Sequence, residues 1–141
     1  INTDNPDLGA YKNRGGKILT WHGLADELIF PQGTVNYYHR VANELGGMTR
    51  AQEFFRLYLV PGLGHGTPNG TSNPDAIVPN FTPTQMYDLL TAWVERAQPP
   101  DRVDLQAGAG GETRSMPACV YPKTITFVSG DPKRAENYAC S

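Results

Sequence analysis

Apolar positions fall into short blocks whose spacing changes along the chain. Lys17-Ile18-Leu19-Thr20-Trp21 is rich in apolar and β-favouring residues, follows Gly15-Gly16 and ends at His22-Gly23, so it reads as a buried strand. After Pro31 the period lengthens. Val35, Tyr38, Val41, Ala42 and Leu45 fall near one face of a helix over residues 32–45, which Gly46-Gly47 terminate. Residues 53–60, EFFRLYLV, predict a second strand stopped by Pro61-Gly62. A loop over 63–81 follows, with five glycines or prolines after His65, and its length points to function. Thr82-Pro83-Thr84-Gln85 is a capping box with Pro at the first helical position, and Met86, Leu89, Leu90, Trp93 and Val94 continue it at helical spacing. Pro99-Pro100 stop this helix, the GAGG run at 108–111 predicts a flexible connector, and KTITFVS at 123–129 predicts a last strand.

The order β-loop-α-β-loop-α plus a tail predicts an α/β fold with a mostly parallel sheet flanked by helices. A right-handed crossover then brings both strand-to-helix loops to the carboxyl edge of the sheet, where chemistry is placed in such folds. The expected organisation is a core over 1–98, a linker over 99–115 and a tail over 116–141. A parallel sheet needs cover on both faces and more than two strands, so this chain is expected to leave a sheet edge and apolar faces for other polypeptide to complete.

With 141 residues, 39% of them hydrophobic, the chain supports one modest core and not two ordinary domains. Twelve Lys plus Arg against fourteen Asp plus Glu, scattered without runs, give a net charge of −2, which lacks the basic footprint of nucleic-acid or anionic-membrane binding. No apolar stretch approaches the roughly 20 residues of a membrane span. The opening INTDNPD has neither an initiator Met nor a signal-peptide apolar region, and the expectation is an internal or processed product. Cys119 and Cys140 are the only cysteines; they are either free thiols or a bridge closing a loop worth about 3 kcal/mol in the chain-entropy model. Asn69-Gly70-Thr71 and Asn80-Phe81-Thr82 are N-glycosylation sequons in a Gly/Pro/Asn-rich stretch, and with the cysteines they favour secretion.

On the shared carboxyl edge the first loop offers Asp26, with Glu27 beside it, and the second offers His65 within Pro61-Gly62-Leu63-Gly64-His65-Gly66. A carboxylate bonded to an imidazole fixes its tautomer and stabilises the imidazolium formed when the ring takes a proton from a nucleophile. Asp26 is equally suited to capping a turn, and Glu27 to either role. A histidine among glycines at a strand end gains nothing from packing, which favours catalysis. His22 reads as a structural bond to the active-site loops, with contact to substrate or the oxyanion as the alternative, His39 as a solvated side chain, and Trp21, Tyr37, Tyr38 and Trp93 as core or interface. Acid before histidine matches the later part of the α/β-hydrolase order, in which the serine comes first. Ser72, Ser115, Ser129 and Ser141 are the only serines, and none stands in G-x-S-x-G. No D-x-[DN]-x-[DN]-G run or His/Cys cluster occurs, so no metal or cofactor is assigned to these residues.

GGKILTWHGLAD from Gly15, NYYHRV from Asn36, VPGLGH from Val60 and the ending from Cys119-Val120-Tyr121-Pro122 to Tyr138-Ala139-Cys140 together resemble the C-terminal part of the tannase and feruloyl esterase family. The resemblance covers nearly the whole chain. It implies the C-terminal portion of an α/β-hydrolase, with Asp26 as triad acid, His65 as triad base and Cys119–Cys140 as the family's C-terminal disulfide. It also implies that an N-terminal chain of the same precursor supplies the serine, the oxyanion hole and a lid with possible bound calcium, as in fungal tannases cut into two chains. The substrates implied are phenolic esters, galloyl or hydroxycinnamoyl. One departure is Gly66, where many members carry a cysteine tied by a disulfide to one beside the serine. The rival readings are a non-catalytic binding or scaffolding module on a hydrolase frame, and another secreted α/β-hydrolase such as a serine peptidase.

Overall fold

The structure is a computed structural model that describes residues 4–65, 78–109 and 112–141. Its elements run α1 (Gly9–Asn13), β1 (Ile18–Gly23), α2 (Pro31–Glu44), α3 (Met48–Gln52), β2 (Phe55–Val60), α4 (Pro83–Arg96), β3 (Arg102–Ala109), β4 (Glu112–Cys119) and β5 (Ile125–Phe127). A 3-10 turn (Ala135–Asn137) and β6 (Tyr138–Cys140) close the chain. β1 and β2 pair in parallel, Ile18 beside Phe55 through Gly23 beside Val60.

Side chains alternate between the faces of a strand, and β2 uses both faces for core. Phe55, Leu57 and Leu59 join Tyr38 and Val41 of α2, with Phe54, in one apolar cluster. Tyr58 and Val60 point the other way, into a cluster with Leu63, Phe81, Val103, Leu105, Ala118 and Val120, against which Met86 and Leu89 of α4 pack. The Tyr38 hydroxyl donates to the Phe55 carbonyl at 2.9 Å, so this buried phenol is satisfied, and burial holds its pKa up at about 12.

Helix α2 ends where its apolar face ends, and Gly46 and Gly47 take φ values of +84° and +128° that a side chain would resist. Helix α4 starts at Thr82, whose hydroxyl accepts from the Gln85 N–H at 3.1 Å. The capping box is not reciprocal, because the Gln85 amide donates instead to the Asp104 carbonyl at 3.2 Å. Trp93 is buried beneath the Arg56 guanidinium, which also pairs with Asp101, whereas Val94, expected on the inner face, is exposed.

Two expectations are corrected. Among the described residues only β1 and β2 are parallel; β3–β4 and β5–β6 are antiparallel pairs, so the sheet structure is not mostly parallel. Residues 99–115 are not a linker: β3 and β4 form a ladder from Arg102 beside Cys119 to Ala109 beside Glu112, and β4 runs across the expected boundary at 115/116. The reason lies in period-two burial, because Val103 and Leu105 on β3 point into the core while Asp104 and Gln106 point out. His39 is exposed, as expected, and its Nε2 lies 2.8 Å from the Tyr121 hydroxyl.

The tail is held at several points. Cys119 and Cys140 are disulfide-bonded across 21 residues. Arg102 donates to the carbonyls of Tyr138 and Ala135, each at 2.7 Å, and the Tyr121 N–H donates to the Leu57 carbonyl at 2.8 Å. Among the described residues no helix is long and apolar enough to cross a membrane. Leu57 of β2 is fully buried in the cluster under α2. Leu57→Ala is expected to cost about 2–5 kcal/mol, read as a lowered urea midpoint with an unchanged slope; a loss under about 0.5 kcal/mol contradicts this packing.

Candidate active site

The parallel pairing of β1 and β2 continues past their last residues. The Leu24 N–H donates to the Val60 carbonyl at 2.9 Å and the Ala25 N–H to the Leu63 carbonyl at 3.0 Å, so the two loops leave the sheet bonded to each other. Gly23 makes this approach possible, because a Cβ there would lie 2.1 Å from the Leu63 oxygen. Gly62, at φ +74°, turns the second loop toward the first.

This closure brings Asp26 and His65 together across 39 residues of sequence, with His65 Nδ1 3.0 Å from Asp26 Oδ2. The other oxygen, Oδ1, accepts from the Leu28 N–H at 3.0 Å and the Ile29 N–H at 2.9 Å. The turn-forming and ring-binding roles of Asp26 are therefore filled at once, one by each oxygen. An ionised carboxylate only accepts, which assigns a proton to His65 Nδ1, and in the neutral imidazole Nε2 then carries the lone pair. Burial raises the Asp26 pKa, but the Ile29 N–H, the His65 ring and the Leu28 N–H outweigh it and hold the carboxyl at about 2. The Asp26 side chain is 8% exposed and that of His65 41%, so the ring stands at the surface on a sheltered anion.

Glu27 does not share the ring. Its Oε2 is 3.5 Å from the His65 backbone N–H, so it borders the histidine's main chain instead. His22 bonds the acid's loop, as expected, with Nε2 2.8 Å from the Ile29 carbonyl oxygen, and it also lies 3.2 Å from Asp26 Oδ2. The signal was its position four residues before Asp26, but strand and turn geometry, not sequence spacing, turns the two side chains toward each other. Leu28, Ile29 and Phe30 beside the acid are exposed at 69, 58 and 71%.

Of the sequons, Asn69 lies outside the described residues, as do Ser72 and Gly66. Asn80 is half-buried, with its side-chain oxygen accepting from the Phe81 N–H at 2.7 Å. Ser115 accepts from the Ala135 N–H at 2.9 Å and the Ser141 hydroxyl lies 2.9 Å from that of Thr126, so both are engaged in the tail. Among the described residues no group of three His, Cys, Asp or Glu side chains has the arrangement of a metal site.

A sequence model of the family described as "Tannase and feruloyl esterase" matches residues 1–141, and the chain belongs to that family. It is 34% identical over 143 residues to a probable feruloyl esterase of Arthroderma benhamiae, covering 97% of this chain and 25% of that protein. It is 36% identical over 142 residues to a mono(2-hydroxyethyl) terephthalate hydrolase of Piscinibacter sakaiensis, covering 96% of this chain and 21% of that protein. The chain thus spans about a quarter of the length of these relatives. The fold is shared with the crystal structure of feruloyl esterase B from Aspergillus oryzae, at a TM-score of 0.79 and 24% identity, over 97% of this chain and 29% of that one.

Because the fold depresses the Asp26 pKa below its ordinary 3.8, the carboxylate's support of the loop is complete above that pH and is lost as pH falls toward about 2. A 13C titration of the Asp26 carboxyl is expected to have its midpoint at about 2; a midpoint of 3.8 or above contradicts the bonding described.

Proposed function

We propose that this chain carries the acid and base of a serine esterase that hydrolyses phenolic acid esters through an acyl-enzyme. The observation that carries the reading is the contact between Asp26 Oδ2 and His65 Nδ1 at the carboxyl ends of paired parallel strands, with His65 Nε2 left as a base. Relatives named as feruloyl esterase and as hydrolase of a terephthalate monoester support cleavage of esters of aromatic acids as the chemistry. The frame is read as the C-terminal portion of an α/β-hydrolase. Its serine, oxyanion hole and lid, the last with any calcium, are assigned to an N-terminal chain of the same precursor. The exposed Leu28, Ile29, Phe30, Trp21, Tyr87 and Val94, and the lack of a second neighbour for β1 among the described strands, suit a surface that other polypeptide covers. Secretion, with glycans at Asn69 and Asn80, belongs to the same reading.

In the proposed reaction His65 Nε2 takes the serine hydroxyl proton as its oxygen attacks the ester carbonyl. The resulting imidazolium, its charge countered by Asp26, gives that proton to the departing alcohol oxygen as the C–O bond breaks. Water then enters, His65 removes its proton, and collapse of the second tetrahedral intermediate returns the proton to serine and releases the carboxylic acid. Asp26 stays ionised throughout, as its low pKa requires.

The test uses the enzyme with its serine-bearing part present. His65→Ala is expected to lower kcat on methyl gallate or methyl ferulate by about 10^6-fold and Asp26→Asn by about 10^4-fold, with KM little changed. A serine-directed phosphonate is expected to label the partner chain in the wild type. Near-normal turnover in either variant overturns the assignment. A native particle containing this chain alone, monomeric and unlabelled, favours the binding module instead.

A further inference from the structure

We propose that His22 is a positioning residue for the acid–base pair, holding Asp26 in the rotamer that turns Oδ2 toward His65; this rests on the esterase reading of that pair. His22 Nε2 faces two acceptors, the Ile29 carbonyl oxygen at 2.8 Å and Asp26 Oδ2 at 3.2 Å. Neither a carbonyl nor a carboxylate donates, so Nε2 carries a proton, its N–H bonding Ile29 and its positive edge lying against the acid. Nδ1 is then the acceptor for the Thr34 hydroxyl, 2.7 Å away in the first turn of α2. Both ring nitrogens are thereby satisfied, with the side chain only 12% exposed.

The bonds form a closed circuit. The Ile29 N–H donates to Asp26 Oδ1, the Ile29 carbonyl accepts from His22, and the same His22 nitrogen adjoins Asp26 Oδ2. Two N–H groups of the loop, of Leu28 and Ile29, and one imidazole of β1 thus hold opposite oxygens of the carboxylate, and Thr34 ties the imidazole to a helix. With Asp26 fixed in torsion from both sides, its Oδ2 presents a defined direction to His65, whose ring is 41% exposed. A half-exposed ring takes its direction from the acid it bonds, and small misplacements of reacting groups are costly in rate.

The experiment compares His22→Leu, His22→Gln and Thr34→Val in the enzyme with its serine-bearing part, with His65→Ala as reference. Leu keeps bulk without a donor, whereas the Gln amide N–H reaches the place of Nε2–H. His22→Leu is expected to lower kcat by about 10- to 100-fold with KM within about twofold, and to shift and broaden the low-field 1H resonance of the His65 Nδ1 proton. His22→Gln is expected to recover most of both, and Thr34→Val to show a smaller loss of kcat alone. Equal losses in the Gln and Leu variants, a rise in KM in place of a fall in kcat, or an unaltered low-field resonance overturns the proposal. If His22→Leu does not fold, the Gln and Val variants decide it by the same readouts. An inactive His65→Ala with unimpaired His22 and Thr34 variants defeats this inference alone; an active His65→Ala defeats the esterase reading with it.

Discussion

The site depends on two loops being bonded to each other where they leave the sheet. Parallel strands bring the carboxyl ends of β1 and β2 side by side, but pairing of the strands alone does not make the following turns meet. They meet because the Leu24 and Ala25 N–H groups continue the ladder onto the Val60 and Leu63 carbonyls, and because Gly23 leaves room for the Leu63 oxygen. A backbone contact that close admits no Cβ, so main-chain geometry sets how near the two loops lie, and side-chain direction then decides which groups meet. Asp26 then uses its two oxygens for different tasks, one ordering its own turn and one receiving the ring.

The rest of the molecule keeps those strand ends in place. β2 is the central member, contributing Phe55 and Leu57 to the cluster under α2 and Tyr58 and Val60 to the cluster shared with α4 and the β3–β4 ladder. The C-terminal segment is bound to this strand directly, through the Tyr121 N–H on the Leu57 carbonyl, and through the ladder by the Cys119–Cys140 bond and the Arg102 guanidinium. It therefore acts as a brace on β2 and not as an appendage.

Family membership and site geometry meet at a limited point. The family covers the whole chain, while the chain covers about a quarter of its relatives, and within that quarter lie a carboxylate and an imidazole but no nucleophile elbow. An acid–base pair is chemically incomplete without an attacking group, just as a sheet edge with exposed aromatic and aliphatic side chains is physically incomplete without cover. In the proposed reading the same serine-bearing portion meets both needs.

The sequence by itself determined the local elements whose signals are local. The strand ending at His22-Gly23, the helix closed by Gly46-Gly47 and the helix capped at Thr82 follow from periodicity and from residues whose backbone preferences act within a turn. The pairing of Asp26 with His65 was legible as a possibility, because strand-to-helix loops of a right-handed crossover share an edge. Tertiary structure decided what depended on partners far along the chain. Residues 99–115 carry glycines and polar side chains that read as a connector, and they became strands because Val103 and Leu105 found Tyr58, Val60 and Phe81 to pack on. The choice of Asp26 over Glu27, the approach of His22 to the acid and the bond of His39 to Tyr121 were likewise settled by side-chain direction. Direction follows from how strands and turns pack in three dimensions, and no spacing along a one-dimensional chain encodes it.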